Sequence, residues 1–194
     1  MIRLNGLNKI KTAVLISGTG SNLKNLLKFS LKKNSRFEIK IVISNNSNAK
    51  GLIYAKNFKV EKKVINFKKI KSAENILIHK LKKMNVKLIC LAGFMKILSK
   101  NFIKKFNGII LNIHPSLLPK YKGLNTHKRA ILNKEKYSGC TVHFVNSKLD
   151  SGKIILQKKV KILKKDTPKT LKKKILKHEH ALYPKAVNKV LTNL

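Results

Sequence analysis

Carboxylates are scarce in this chain. Its 194 residues hold 7 acidic side chains against 45 basic ones, a formal charge of +38. Arginine is rarer still: Arg3, Arg36 and Arg129 are the only three, so the positive charge is nearly all lysine. That shortage argues against the nucleic-acid partner such a charge invites, because the forked guanidinium is the side chain preferred for bidentate phosphate and base contacts. The lysines run through every segment in company with abundant Ile and Asn. All three residues have A/T-rich codons, so a biased genome accounts for the composition, and a solvated surface is expected. Self-repulsion at low salt and long-range attraction of anions follow from the charge. The two cysteines, Cys90 and Cys140, sit in apolar strand-like runs without CxxC spacing. They read as buried free thiols in a reducing cytoplasm, not as a disulfide or metal site. No apolar run approaches the length of a membrane span. The first dozen residues mix Arg3, Lys9 and Lys11 with Leu and Ile and lack an apolar block and a cleavage site, so no signal peptide is expected. One cytoplasmic domain over residues 1–194 is the expectation.

What is present is an alternation of strand-like and helix-like segments. Residues 12–17, 38–44, 60–67, 88–92 and 109–113 read as strands, being apolar runs or period-two alternations closed by turn residues. Residues 21–33, 51–58, 72–84 and 99–106 read as helices between them, with Ser72 as N-cap of the third. That order predicts an α/β fold with a mostly parallel central sheet covered by helices on both faces. After Pro119 the pattern changes: a helix over 126–132, successive strands over 140–145 and 154–160, and a long helix over 167–191 with Asp166 as a cap.

Ser17-Gly18-Thr19-Gly20-Ser21-Asn22-Leu23 joins the first strand to a helix amino terminus, a ready anion site. It is not a dinucleotide fingerprint: Leu23 stands at the third glycine position, and Ser44 and Asn45 close the second strand where an acid is needed. Nor does it end in the Gly-Lys-Ser/Thr of a nucleoside-triphosphate loop. A monophosphate-sized pocket and a purely structural tight turn both remain, with Ser21 and Asn22 able to cap the helix or donate to phosphate.

Leu111-Asn112-Ile113-His114-Pro115-Ser116-Leu117-Leu118-Pro119 places an amide and an imidazole directly after the apolar run Ile109-Ile110-Leu111. Two residues apart on extended chain, Asn112 and His114 point to one side. Pro115 ends the ladder because it has no N–H. A donor beside a titratable base on stiff backbone suits carbonyl chemistry; a capped strand end with a loop histidine is the plainer reading.

Taken with Leu91-Ala92-Gly93-Phe94-Met95-Lys96-Ile97-Leu98-Ser99, and with Val142-His143-Phe144-Val145 followed by Leu149-Asp150, these blocks resemble the folate-dependent phosphoribosylglycinamide formyltransferases of purine synthesis. The likeness runs in order from about residue 13 to 184. It implies a Rossmann-like formyltransferase fold and transfer of a formyl group from 10-formyltetrahydrofolate, as co-substrate, to glycinamide ribotide. No metal, membrane or specific nucleic-acid partner is implied, and the state would be monomer or homodimer. His114 would be the general acid/base, Asn112 the donor to the formyl oxygen, and Asp150 the carboxylate that raises the pKa of His114. Gly20, Ser21, Asn22 and Leu23 would hold the ribotide phosphate, and Glu179 its ribose hydroxyls. Met95, Lys96, Ile97 and Leu98, with Asn112, would line the folate pocket.

Plainer roles exist for several of these. Asp150 fits a hairpin turn, His143 a packed strand histidine, Glu179 an exposed helix residue paired with lysines, and Thr126-His127, which could shape the substrate mouth, a helix start. Departures from the family pattern bear on the folate tail. Lys96 stands where arginine is frequent, Lys69 or Lys71 is the nearest match for another arginine, and Lys122 replaces a proline, loosening its loop. A tRNA-formylating enzyme shares the Asn/His/Asp set but normally adds a C-terminal barrel, and a formyl-folate hydrolase adds an N-terminal domain; neither fits this length. A non-catalytic basic nucleic-acid-binding module is the alternative from another class.

Overall fold

β1 (Ile10–Ile16) organises the molecule because it is buried on both sides. Val14 and Ile16 pack into an apolar layer with Leu23, Leu26 and Tyr183, whereas Ala13 and Leu15 pack with Leu77, Leu81 and Phe102. A strand covered on both faces needs an unbroken apolar run, which 13–16 supplies. The structure, a computed structural model, describes residues 9–193. The signal-peptide reading therefore falls largely on residues 1–8, outside the described residues.

From β1 the chain runs through α1 (Ser21–Ser30), β2 (Phe37–Ser44), α2 (Leu52–Asn57), β3 (Glu61–Val64), α3 (Ile70–Lys83), β4 (Leu88–Leu91), α4 (Lys100–Phe106) and β5 (Ile109–His114). Then come α5 (Thr126–Leu132), β6 (Tyr137–Phe144), β7 (Ile154–Lys161) and α6 (Pro168–Thr192). All seven strands form one sheet in the order β3-β2-β1-β4-β5-β6-β7. The pairs from β3 to β5 are parallel; β5–β6 and β6–β7 are antiparallel. The expected α/β fold, mostly parallel with helices on both faces, is what forms. α1 and α6 cover one face, and α3 and α4 the other. Because β1 lies between β2 and β4, the winding reverses there, and a crevice opens beyond the carboxyl ends of β1 and β4.

The helix ends differ from expectation in three places. α3 begins at Ile70 after Lys69, so Ser72 lies inside the helix and caps nothing. α1 begins after Gly20, a left-handed residue with φ 71°, and neither Ser21 nor Asn22 caps it. The cap of α6 is Thr167, whose hydroxyl accepts from Thr170 N at 3.2 Å in a capping box. Asp166, one residue earlier, instead accepts from Leu163 N at 2.8 Å and pairs with Lys174. β3 also stops at Val64, where its pairing with Ser44 ends, so Ile65 and Phe67 reach the core from irregular chain.

Two features fix the ground under the site. The Tyr183 hydroxyl is buried at 3.0 Å from both the Leu91 and Leu111 carbonyls, so α6 is pinned to the ends of β4 and β5. A buried phenol needs such a partner. Each of the seven carboxylates, moreover, is engaged. Glu38 pairs with Lys40, Glu61 with Lys80, Glu135 with Lys120 and Asp166 with Lys174, while Glu74 holds Ser99, Glu179 holds Asn22 and Asp150 holds Gly123.

Candidate active site

Along β5, Leu111 and Ile113 face the α1/α6 layer and Ile110 the α3/α4 layer. Period two therefore sends Asn112 and His114 out on the side of Ile110, at the end of the strand. β6 runs antiparallel beside it, with Asn112 opposite His143 and His114 opposite Thr141. His143 thus shares a face with Asn112. The turn from β6 to β7 delivers Asp150 to the same place with φ 45°, a conformation Asp tolerates better than most side chains.

The three predicted residues converge. Asp150 Oδ2 lies 3.3 Å from His114 Nδ1 and accepts from Gly123 N at 2.8 Å. Asp150 Oδ1 lies 3.4 Å from Asn112 Nδ2 and 3.6 Å from His143 Nε2. His143 Nδ1 is 2.8 Å from the Phe144 carbonyl, which assigns its proton to Nδ1 and leaves Nε2 to accept from Asn112 Nδ2 at 3.2 Å. The Asp150 contact sits at the limit of hydrogen bonding, so one proton of the Asn112 amide stays available to a ligand oxygen. His143 is packed, as expected, yet it also orients the Asn112 amide. Sequence reading missed that second role, because only the antiparallel register reveals the neighbour.

The ionisation of the cluster corrects one expectation. Asp150 does favour the charged form of His114, and so does the Tyr121 carbonyl 2.9 Å from Nε2. Burial is the larger effect: His114 is 5% exposed, and its pKa lies below the ordinary 6.5 rather than above it. Burial pushes the Asp150 carboxyl up, but contacts that include the Gly123 N–H and the charge of His114 outweigh it and hold the carboxyl below its usual value.

These groups form one wall of a cavity of about 790 Å³. Met95, Lys96, Ile97 and Leu98 form another; Met95 is 62% and Ile97 71% exposed, an apolar rim at the mouth. Lys69 and Lys71 do not line it, whereas Lys128, Lys148, Lys169 and Lys172 do. Lys122 does not loosen its loop, since its carbonyl accepts from Arg129 at 2.7 Å and the next N–H is held by Asp150. Thr126 does begin a helix, as read, but the His127 ring also faces the cavity. Burial, then the charge of Lys172, push its pKa down to about 4.

Gly20, Ser21, Asn22 and Leu23 do not line this cavity. The Leu23 side chain is fully buried in the core, so only its backbone is open to a ligand. The N–H groups of Ser21, Asn22 and Leu23 have no acceptor among the described residues, as the first turn of a helix dictates. Gly20 is required sterically: a Cβ there would meet Gly51 Cα at 2.6 Å. Glu179 is buried, not an exposed partner of lysines, and accepts from Asn22 Nδ2 at 2.7 Å. Burial raises its pKa, against the pull of Asn22. The Asn22 Oδ1 beside it is buried without a partner.

Asn112, His114 and Asp150 converge on a cavity beyond the carboxyl ends of β4 and β5, an arrangement suited to acyl transfer. Residues 10–187 match the formyl transferase family, and the chain belongs to it. Within that class the chain is similar to phosphoribosylglycinamide formyltransferases. The phosphoribosylglycinamide formyltransferase of Haemophilus influenzae is 42% identical over 177 residues, 90% of this chain and 84% of that protein. The solved phosphoribosylglycinamide formyltransferase of Brucella melitensis superposes with a TM-score of 0.90 at 38% identity, covering 95% of this chain and 96% of that one. The trifunctional purine biosynthetic protein adenosine-3 of Gallus gallus is 44% identical over 186 residues. The match takes in 94% of this chain and 18% of that much longer protein.

Proposed function

We propose that the chain transfers the formyl group of 10-formyltetrahydrofolate to the glycinamide amine of N1-(5-phospho-D-ribosyl)glycinamide in purine biosynthesis. The observation that carries this reading is the convergence of Asn112, His114 and Asp150 on a cavity of about 790 Å³, within the usual range for a small-molecule site. Met95, Lys96, Ile97 and Leu98 offer apolar surface and a cation to the folate. Gly20 and the free N–H groups of Ser21, Asn22 and Leu23 offer a phosphate cradle at a helix amino terminus. Asn22 Oδ1 and the Glu179 carboxylate supply acceptors for ribose hydroxyls.

The chemistry follows from the protonation states. As the neutral amine adds to the formyl carbon, negative charge collects on the formyl oxygen. The free N–H of Asn112 donates there, an effect of roughly 2.7–4 kcal/mol in oxyanion-type sites. His114 is kept neutral by burial; with its one ring proton on Nδ1 toward Asp150, Nε2 leaves the Tyr121 carbonyl and takes the proton that the attacking nitrogen sheds. Asp150 steadies the resulting imidazolium. His114 then gives that proton to the folate nitrogen as its bond to the formyl carbon breaks, which restores the neutral ring.

The partners in this reading are small molecules, with the lysine surface solvated and the chain monomeric or homodimeric. Among the described residues no helix is long and apolar enough to cross a membrane. To test the activity, the purified protein is mixed with ribotide and 10-formyltetrahydrofolate and loss of the formyl donor is followed. Turnover should need the ribotide and vanish in His114→Ala. Turnover without an acceptor, or with tRNA alone, overturns the reading, as does salt-sensitive nucleic-acid binding without turnover.

A further inference from the structure

Ser17, at the end of β1, has every polar atom engaged with chain from other loops. Its N–H donates to the Gly93 carbonyl at 3.1 Å, and its carbonyl accepts from Asn46 Nδ2 at 3.3 Å. Its hydroxyl donates to Asn45 Oδ1 and accepts from Met95 N at 2.7 Å. The segment joined in this way is the cavity wall that follows β4. Its far end is held by Glu74, which accepts from Ser99 N at 2.7 Å and from Ser99 Oγ at 2.6 Å. Between these anchors, the bond from Met95 to Ser17 is the only hydrogen bond that residues 94–98 make to the described residues. Met95 and Ile97 are largely exposed, so packing holds the segment at its ends, through the buried Phe94 and Leu98, and leaves the backbone between them to this one hydrogen bond.

We propose that Ser17 is a positioning residue for the formyl-folate: from within the glycine loop it sets the shape of the opposite substrate's wall. The proposal rests on the assignment of that wall to the folate. Its physical content is that a neutral hydrogen bond to a backbone N–H, removed by Ser17→Ala, leaves Met95 N without a partner and residues 93–98 with more freedom to lose on binding. Ser17 touches neither the reacting carbon nor the catalytic trio, so the consequence is confined to affinity. The asymmetry is diagnostic, because Ser17 adjoins the residues assigned to ribotide phosphate while its hydroxyl reaches only Asn45 and Met95.

The experiment is steady-state kinetics of wild type and Ser17→Ala with each substrate varied in turn, alongside calorimetric titration with tetrahydrofolate. Wild-type turnover tests the transfer itself, and the variant tests the pin. The expected result is a rise of roughly three- to tenfold in KM for the formyl-folate. Tetrahydrofolate affinity should weaken equally, with a much smaller change in KM for ribotide and in kcat. Ser17→Thr, which keeps the hydroxyl, should restore most of the folate affinity. A general disordering of the site would raise both KM values together, and that outcome, or a change confined to ribotide, overturns the proposal. Should Ser17→Ala fail to fold by circular dichroism, Asn45→Ala replaces it. That variant frees the hydroxyl to turn away from Met95 and must raise the same folate constant; an unchanged folate KM there also overturns the proposal.

Discussion

Asn112 and His143 face each other across the antiparallel ladder of β5 and β6, with amide nitrogen and imidazole Nε2 3.2 Å apart. The contact gives the donor amide an orientation that Asp150, at 3.4 Å, fixes only weakly. Replacing His143 by Leu removes the acceptor and keeps a packed side chain. The expected effect is a fall in kcat of about ten- to a hundredfold, since misplacing a reacting group costs on that order. Both KM values should hardly move, and His143→Gln, which keeps an acceptor, should recover part of the rate. A His143→Leu enzyme as fast as wild type sinks the orienting role.

The pH profile should report the buried imidazole. Because burial lowers the His114 pKa, the acid limb of kcat/KM should fall below the ordinary histidine value of 6.5. Asp150 stabilises the charged ring, so Asp150→Asn should shift that limb still lower and reduce kcat by about a hundredfold or more, as loss of an orienting carboxylate does elsewhere. An acid limb above 6.5 in the wild type would contradict the assignment.

Stability should vary with pH through the same groups. His114 and His127 have folded pKa values below their unfolded ones, with His127 at about 4. Between about pH 6.5 and 4 the unfolded chain therefore binds more protons, and native stability falls as the pH drops through that window. His127→Gln should flatten the slope of Tm against pH there, as scanning calorimetry can measure.

Gly20 allows a test of the phosphate cradle. Its φ of 71° and its approach to Gly51 make Gly20→Ala both strained and overpacked. A cost of roughly 1–3 kcal/mol in chemical denaturation is expected, with a raised KM for ribotide. The net charge of +38 gives a prediction in the other direction: added salt should raise Tm by screening repulsion among the lysines. A Tm that is flat or falling between 10 mM and 500 mM sodium chloride, roughly 30 Å and 4 Å of screening length, would refute it.

How much of this was readable beforehand depends on the range of the force involved. All thirteen elements were legible, since hydrophobic periods such as Leu23, Leu26 and Leu27 survive a lysine-rich composition. The trio was legible too, through the order of its motifs. Helix caps were misread where neighbouring residues compete: Thr167 outbids Asp166, and Lys69 precedes Ser72. The pKa of His114 went wrong because sequence reveals the sign of Asp150 but not the depth of burial. The Tyr121 carbonyl at His114, Glu74 at Ser99 and Ser17 at Met95 are contacts between loops, set by sheet order, and no local pattern encodes them.

With seven carboxylates, each committed to a named partner, the chain has no negative side chain in reserve. Any redesign meant to improve solubility or crystal growth must therefore leave the acids alone and recolour the surface by exchanging lysines. The outer strand β7, where Lys158, Lys159 and Lys161 stand exposed, is the place to begin. Cutting acids instead would strike the scaffold and the chemistry in the same stroke.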